Sequence, residues 1–335
     1  MVVGATTKHH LRSTRVLSET MAHRPVTVIC TVFNEVGSIG ATLESLQHQS
    51  RQPDEIVIVD AGSSDGTINR LTDAASEDKR IRVLVESGNR SHGRNAAIEY
   101  ATYDTIACID GGCFAHRDWL QNLVEPFGDG ASWVAGFYEV DAESTVDQCV
   151  GLTLIPVPEE VDAAAFLPSA RSMAMTRSAW RRAGRFPEHA EFAEDTLFDA
   201  QMLGAGFKPT FVASAIVRWK PPSGFRGLAR TAFSWGRGDG AARLRGRTYA
   251  RWAGITAFTA LATALTWWFR PSLLILLVAL VIAGLWYLTR HKYRYVEGVQ
   301  KYVVLPVAML TSILASLLGY VVGRVAGEVV GAQVE

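Results

Sequence analysis

Acidic residues stand where three apolar runs end. Val26–Phe33 gives way to Asn34-Glu35, the run from Glu55 closes on Asp60, and the run from Thr105 closes on Asp110, followed at once by Gly111 and Gly112. A carboxylate at such a point accepts hydrogen bonds from N–H or hydroxyl groups, or holds a cation. Two adjacent glycines let a ligand come close to the backbone. Further along, Glu194-Asp195 opens the helical run DTLFDAQMLGAG. An acid pair there suits a helix N-terminus, which favours negative charge, and equally a general base that takes a proton from a hydroxyl. Taken singly, such residues have plain readings: Glu35 a surface acid, Asp65, behind Ser63 and Ser64, a helix cap. Three acids at three strand ends imply a binding crevice.

The elements that would position them alternate. Strand-like runs cover Val26–Phe33, Glu55–Asp60, Ile81–Glu86 and Thr105–Asp110, with helical patterns over Gly37–Gln49, Asp65–Ala75 and Gly93–Ala101. This order predicts an α/β domain with a parallel sheet and helices on its faces. Ligands of such sheets bind beyond the carboxyl ends of the strands.

The chain of 335 residues balances 33 Lys and Arg against 33 Asp and Glu, which argues against nucleic acid as a partner. Cys30, Cys108, Cys113 and Cys149 form no C-x-x-C pair and no zinc-like cluster, and read as reduced packing residues. Residues 1–24 lack an apolar core and read as a mobile polar arm, not a signal peptide.

Past Tyr249 the composition changes. The stretches 252–269, 272–289 and 302–323 carry no charge and approach the roughly 20 residues of a membrane-spanning helix, giving two to three spans within 252–325 and a tail over 326–335. Gly319 and Gly323 soften the third. Arg243, Arg245, Arg247 and Arg251 precede the first span, and Arg290, Lys292, Arg294 and Lys301 surround the loop before the third. The positive-inside rule then places the soluble domain in the cytoplasm of a multi-pass membrane protein. Residues 223–251, basic with interleaved Trp and Phe, read as a juxtamembrane segment on anionic lipid. Residues 141–168 read as an irregular insertion.

TVFNE, VDAGSSDGT, GNRSHGRNAAI, CIDGGC and AEDTLFDAQMLGAGF, in this order, resemble the GT-A (Rossmann-like) glycosyltransferases of family 2. The resemblance covers about Pro25–Asp239, with a catalytic domain over 25–222. It implies an inverting transfer from a nucleotide-diphosphate sugar, UDP- or GDP-linked. It places Val32, Phe33 and Glu35 around the base, Asp60 on a base ring nitrogen, and Arg94 near the nucleotide. Asp110, with Gly111 and Gly112, occupies the D-x-D position at ribose and metal. The resemblance implies a divalent cation, Mg or Mn, yet Gly112 replaces the last acid. Asp110 is then the one acidic ligand, and Arg90, His92 and Arg237 are alternative charges for the leaving diphosphate. Asp195 matches the catalytic base, supported by Glu194. Arg171–Met175 resembles the floor beneath the acceptor, and Trp180 reads as core.

The spans put this enzyme beside a lipid-linked acceptor, either a lipid-linked saccharide or a polyprenyl (dolichyl) phosphate, in glycoprotein or cell-surface glycan assembly, with other glycan-assembly enzymes as partners. The retained base favours a hydroxyl acceptor. A catalytically inactive sugar-nucleotide scaffold is the alternative that Gly112 raises. A processive synthase is disfavoured, because TAFSW (Thr231–Trp235) lacks the Gln and Arg of Q-x-x-R-W. A transporter is disfavoured by the absence of charge in the spans.

Overall fold

The computed structural model describes residues 24–326; the arm and the tail read from the sequence lie outside the described residues apart from Arg24 and Ala326. Strands β1 (Val26–Val32), β2 (Glu55–Asp60), β3 (Ile81–Val85) and β4 (Thr105–Asp110) pair in parallel in the order β3-β2-β1-β4. Helices α1 (Ile39–Gln47), α2 (Thr67–Glu77) and α3 (Arg90–Tyr100) connect them. β1, β2 and β4 are Val- and Ile-rich and buried on both faces, as expected of strands covered by helices on either side. One core layer gathers Val28, Ile56, Ile58, Leu71 and Trp119; the other gathers Ile29, Val57, Ile98, Trp180 and Phe198. Trp180 is core, its indole N–H donating to Asn95 Oδ1 at 3.1 Å. All four cysteines are buried free thiols.

The other half of the sheet departs from the parallel expectation. β7 (Met173–Thr176) runs antiparallel to β4, β6 (Trp133–Val140) antiparallel to β7, β8 (Thr210–Trp219) parallel to β6, and β5 (Cys113–Ala115) antiparallel to β8. The sheet is therefore mixed, with eight strands. The switch occurs where β4 turns through Gly111-Gly112 straight into β5, with no crossover helix. Register places Val32 beside Asp60 and Thr31 beside Asp110. The two aspartates thus flank the end of β1, roughly 10 Å apart across two strand spacings.

Short helices α4 (Trp119–Val124) and α6 (Arg177–Ala183) pack on the sheet. The expected irregular insertion instead contains α5 (Thr145–Leu154), started by Ser144, whose hydroxyl accepts from the Asp147 N–H. Helix α7 (Glu194–Gly204) carries the acid pair at its first turn.

Residues 223–251 are largely helical. They form α8 (Gly224–Ala241) and the first turns of α9 (Gly246–Phe269), so the first apolar helix starts six residues before Trp252. A tight turn at Arg270 leads to α10 (Leu273–Thr289) and then α11 (Lys301–Ala326). Among the described residues one helix, α11, is long and apolar enough to cross a membrane, and α10 is a shorter apolar helix.

α8 and α11 run in the same direction: Leu228 clusters with Ala308, Gly236 faces Ser316 and Gly240 faces Tyr320. The glycines that soften α11 are its contact surface. A methyl group on Gly319 or Gly323 would overlap the carbonyl oxygens of Phe233 and Arg237, and one on Gly236 or Gly240 would overlap those of Ser316 and Tyr320. Each helix thus offers a small-xxx-small face to the other, and the two backbones touch. α9 leaves beside the C-terminal end of α11, where the Tyr249 and Tyr320 rings stack at 4.1 Å. α10 returns to its N-terminal end, where Trp286, Tyr293 and Tyr302 adjoin. The rest of α9 and α10 is bare: Trp268 is 79% exposed and Ile275 80%.

Candidate active site

The acids singled out in the sequence lie at the carboxyl ends of β1, β2 and β4. At β2, Asp60 is buried. Its Oδ1 accepts from the N–H groups of Gly62 (2.9 Å) and Ser63 (2.7 Å), while its Oδ2 is buried with no partner. A buried oxygen that lacks a donor is costly unless a ligand supplies one. Beside it Val32 is buried and the Phe33 ring is 59% exposed.

The loops after β1 and β2 are stitched together. Asn34, in the left-handed region at φ 55°, donates its N–H to Ser63 Oγ (2.7 Å) and accepts from the Ser64 N–H (3.0 Å) on its side-chain oxygen. Asp65 precedes the N-cap Gly66, and accepts from Thr67 N–H and from Val36 N–H, both at 3.0 Å. It fastens the helix start as expected, one residue further out.

At β4 the glycines answer to the protein before any ligand. A Cβ on Gly111 would lie 3.1 Å from Val32 Cγ1 and 3.2 Å from the Thr31 carbonyl. Gly112 has φ +74°, and its open side is filled by the Glu35 carboxylate, which also accepts from Ser38 Oγ. A side chain at Gly112 would be strained and would press on Glu35.

Arg94 is the hub. Expected near the nucleotide, it is fully enclosed on α3 and forms three ion pairs, with Asp110 Oδ1 (2.8 Å), Asp195 Oδ1 (3.1 Å) and Glu194 Oε1 (3.2 Å). Its guanidinium also lies 5.5 Å from the Phe186 ring centroid. Burial disfavours its charge, but the carboxylates of Asp110, Asp195 and Glu194 outweigh this and hold its pKa well above the usual value. Thus residues separated by a hundred positions meet at one point.

Asp195 is further fixed by the turn before β7: its Oδ2 accepts from Ser169 Oγ (3.2 Å) and the Ala170 N–H (3.1 Å). Ala193, left-handed at φ 61°, turns the chain into α7 so that both acids face the hub. The two aspartates then differ. For Asp110, burial raises the pKa, but Arg94 and then Arg171 reverse this and leave it below the usual carboxylate value. For Asp195, burial raises it, Arg94 opposes, and Glu194 and Asp110 add to the rise, so it lies above that value. A carboxylate raised in this way is a stronger base than an exposed one.

Three further expected cations lie outside the Arg94 hub, Arg90 near enough for its charge to act on Asp110. Arg237 pairs with Glu191 (3.7 Å) and lies over Phe192, in the strap 187–193 ahead of α7. His92 pairs with Glu188 in the same strap at 3.1 Å, and Arg90 is exposed. Ser169 and Ala170 were not foreseen, since nothing in their sequence marks a turn whose partner is 25 residues away. For a divalent cation, no group of three His, Cys, Asp or Glu side chains is poised among the described residues. The donors at the Gly111-Gly112 turn are the second oxygen of Asp110 and the Glu35 carboxylate beside Gly112, too few to enclose an ion and suited to one carried mainly by phosphate oxygens and waters.

Residues 27–148 match the family described as Glycosyl transferase family 2. Glycosyltransferase AglE of Haloferax volcanii is 27% identical over 228 residues, spanning 64% of this chain and 72% of that one. The glucosyl-dolichyl phosphate glucuronosyltransferase of the same organism is 31% identical over 111 residues, 32% of this chain and 35% of its own. The mannosyltransferase PcManGT of Pyrobaculum calidifontis, solved in complex with GDP-Man and Mn2+, superposes with a TM-score of 0.63 at 21% identity, covering 92% of this chain and 93% of that one. That last likeness is one of fold. With the match over 27–148, the GT-A-like sheet and these relatives, the chain is a glycosyltransferase whose residues 27–148 are similar to family 2.

Proposed function

We propose that this enzyme moves one sugar, with inversion, from a UDP- or GDP-linked donor to a lipid-linked acceptor at a membrane. The carrying observation is the Arg94 hub, which sets Asp195 opposite Asp110 at the carboxyl end of the sheet. The donor base fits the place between Phe33 and Asp60, whose free Oδ2 accepts a ring N–H. Ribose and diphosphate then lie along Asp110, Gly111 and Gly112. A divalent ion, Mg or Mn, held by Asp110 and the diphosphate, would supply charge neutralisation when bound. As the acceptor oxygen bonds to the anomeric carbon, the bond to the diphosphate breaks and its electron pair leaves with the phosphate. Asp195 takes the hydroxyl proton, and Glu194 balances Arg94 beside it.

The membrane reading is supported by the bare apolar faces of α9 and α10, which no part of the described chain covers. Such surfaces are too extensive to leave in water. The loop before α11 stays with the catalytic domain: Lys292 is buried and pairs with Glu160 at 2.6 Å, and Arg294 pairs with Glu159 at 2.7 Å. A hairpin of α9 and α10 in the bilayer, with the domain on the cytoplasmic face, fits these contacts. The name of one relative, the glucosyl-dolichyl phosphate glucuronosyltransferase, supports a polyprenyl-borne acceptor.

Membranes containing the protein, given a panel of radiolabelled sugar nucleotides, are expected to place label in the lipid extract from one donor. Label in no lipid from any donor, with Mg or Mn present, would instead favour a silent sugar-nucleotide scaffold. Asp60→Ala is expected to weaken nucleoside diphosphate binding about tenfold or more, read by calorimetry, because it removes a charged hydrogen-bond acceptor.

A further inference from the structure

The cations of the cleft are mostly spent. Arg94 serves three acids, Arg237 is with Glu191 and His92 with Glu188. Arg171, at the turn into β7, takes part in none of the salt bridges among the described residues, and its buried Nε has no hydrogen-bond partner. Three aromatic rings hold its guanidinium: Trp219 at 4.8 Å, Tyr138 at 5.6 Å and Trp235 of α8 at 5.7 Å from their centroids. Its one side-chain hydrogen bond donates from Nη1 to Ser169 Oγ (3.0 Å), the same hydroxyl that reaches Asp195. On the opposite flank, Trp219 pairs in register with Cys113, the residue after Gly112.

Arg171 therefore stands between the proton acceptor and the turn that faces the diphosphate, with the membrane-side helix as one wall. Aromatic faces fix a guanidinium and strip its water without neutralising it. What remains is a planar, charged fork of donors with no carboxylate in ion-pair contact among the described residues, the arrangement that recognises phosphate.

Building on the glycosyl-transfer reading, we propose that Arg171 is a phosphate-binding residue of the transfer centre, its fork receiving a phosphate group between Asp110 and Asp195. Two sources carry that chemistry: the diphosphate that leaves the donor, and the phosphate that links the acceptor to its lipid. The position beside Gly112 lets a side-chain cation share the charge that the missing acid of D-x-D would have managed through a metal.

The test uses full-length protein in detergent, comparing Arg171→Met and Arg171→Lys with wild type. UDP and GDP are titrated against each form, with the matching nucleosides as controls, and KM is measured for donor and for a polyprenyl phosphate-linked acceptor. A drop of about tenfold or more in diphosphate affinity for Arg171→Met, with nucleoside binding unchanged, assigns the residue to the leaving group. A similar rise in acceptor KM at unchanged diphosphate affinity assigns it to the acceptor phosphate. In either case Arg171→Lys recovers part of the loss, because the charge is kept and the fork is not. Arg171→Met with unchanged diphosphate affinity and unchanged KM overturns the proposal. So does equal loss in both variants with equal falls in melting temperature, which marks a packing role. Wild type that binds no nucleoside diphosphate would sink the parent reading itself, whereas active wild type beside an indifferent Arg171→Met sinks only this one.

Discussion

Asp195→Asn is expected to slow transfer by about 10²–10⁴-fold, the usual worth of a positioned general base, while donor affinity changes by no more than a few-fold. The substitution is nearly isosteric, so the side-chain oxygen can still accept from Ser169 Oγ and the Ala170 N–H. Arg94 keeps Asp110 and Glu194, so the hub stays neutralised. What is lost is the ability to take a proton. Single-turnover rates against calorimetric donor affinity separate the two effects, and near-normal turnover would refute the assignment. The wild-type pH profile should agree. Asp195 must be ionised to act, and burial with its acidic neighbours lifts its pKa. The rate is therefore expected to climb with pH along an acid limb set above the ordinary carboxylate range, and that limb is expected to vanish in the Asn variant.

Gly319→Leu is expected to destabilise the protein by about 3 kcal/mol, at the upper end of what overpacking costs. At Gly319 the neighbour is the Phe233 carbonyl, part of a helix backbone that cannot rotate away. α8 must then separate from α11, which also uncouples Gly236 and Gly240. Thermal unfolding in detergent reads the effect. Gly284→Ala in α10 is the control, since a Cβ there meets nothing within 4 Å, and it is expected to be neutral or slightly stabilising. Because α8 carries Trp235, one wall around Arg171, the Gly319 variant is also expected to lose activity at temperatures where it remains folded.

The first half of the sheet was readable because each strand is a short Val/Ile run ended by an acid. Those runs predict both the parallel order and the edge that gathers Asp60 and Asp110. The antiparallel half was not, since β5 and β7 are only three and four residues long and their pairing depends on contacts far along the chain. Asp195 was singled out through its resemblance to the family's base, but its anchoring by Ser169 carries no local signal. Arg94 was noticed, yet a helical arginine gives no sign that three acids from two other elements surround it. In the segment 223–251 the arginines and aromatics were legible as a basic juxtamembrane surface, but nothing marked its glycines as a contact. In the fold, the glycines are a flat face for a neighbouring helix.

The strap 187–193 joins parts with different duties. Asn89 of the nucleotide side donates to the carbonyls of Glu188 and Ala190, Phe192 rests on Gly238 of α8, and the next residue, Ala193, starts the helix that bears the acid pair. The pair of α8 and α11 is thereby joined to the domain that bears the acid pair. A protein cut after Trp219 would keep the eight-stranded sheet, yet leave the turn that bears Glu194 and Asp195 without the helix on which its strap rests.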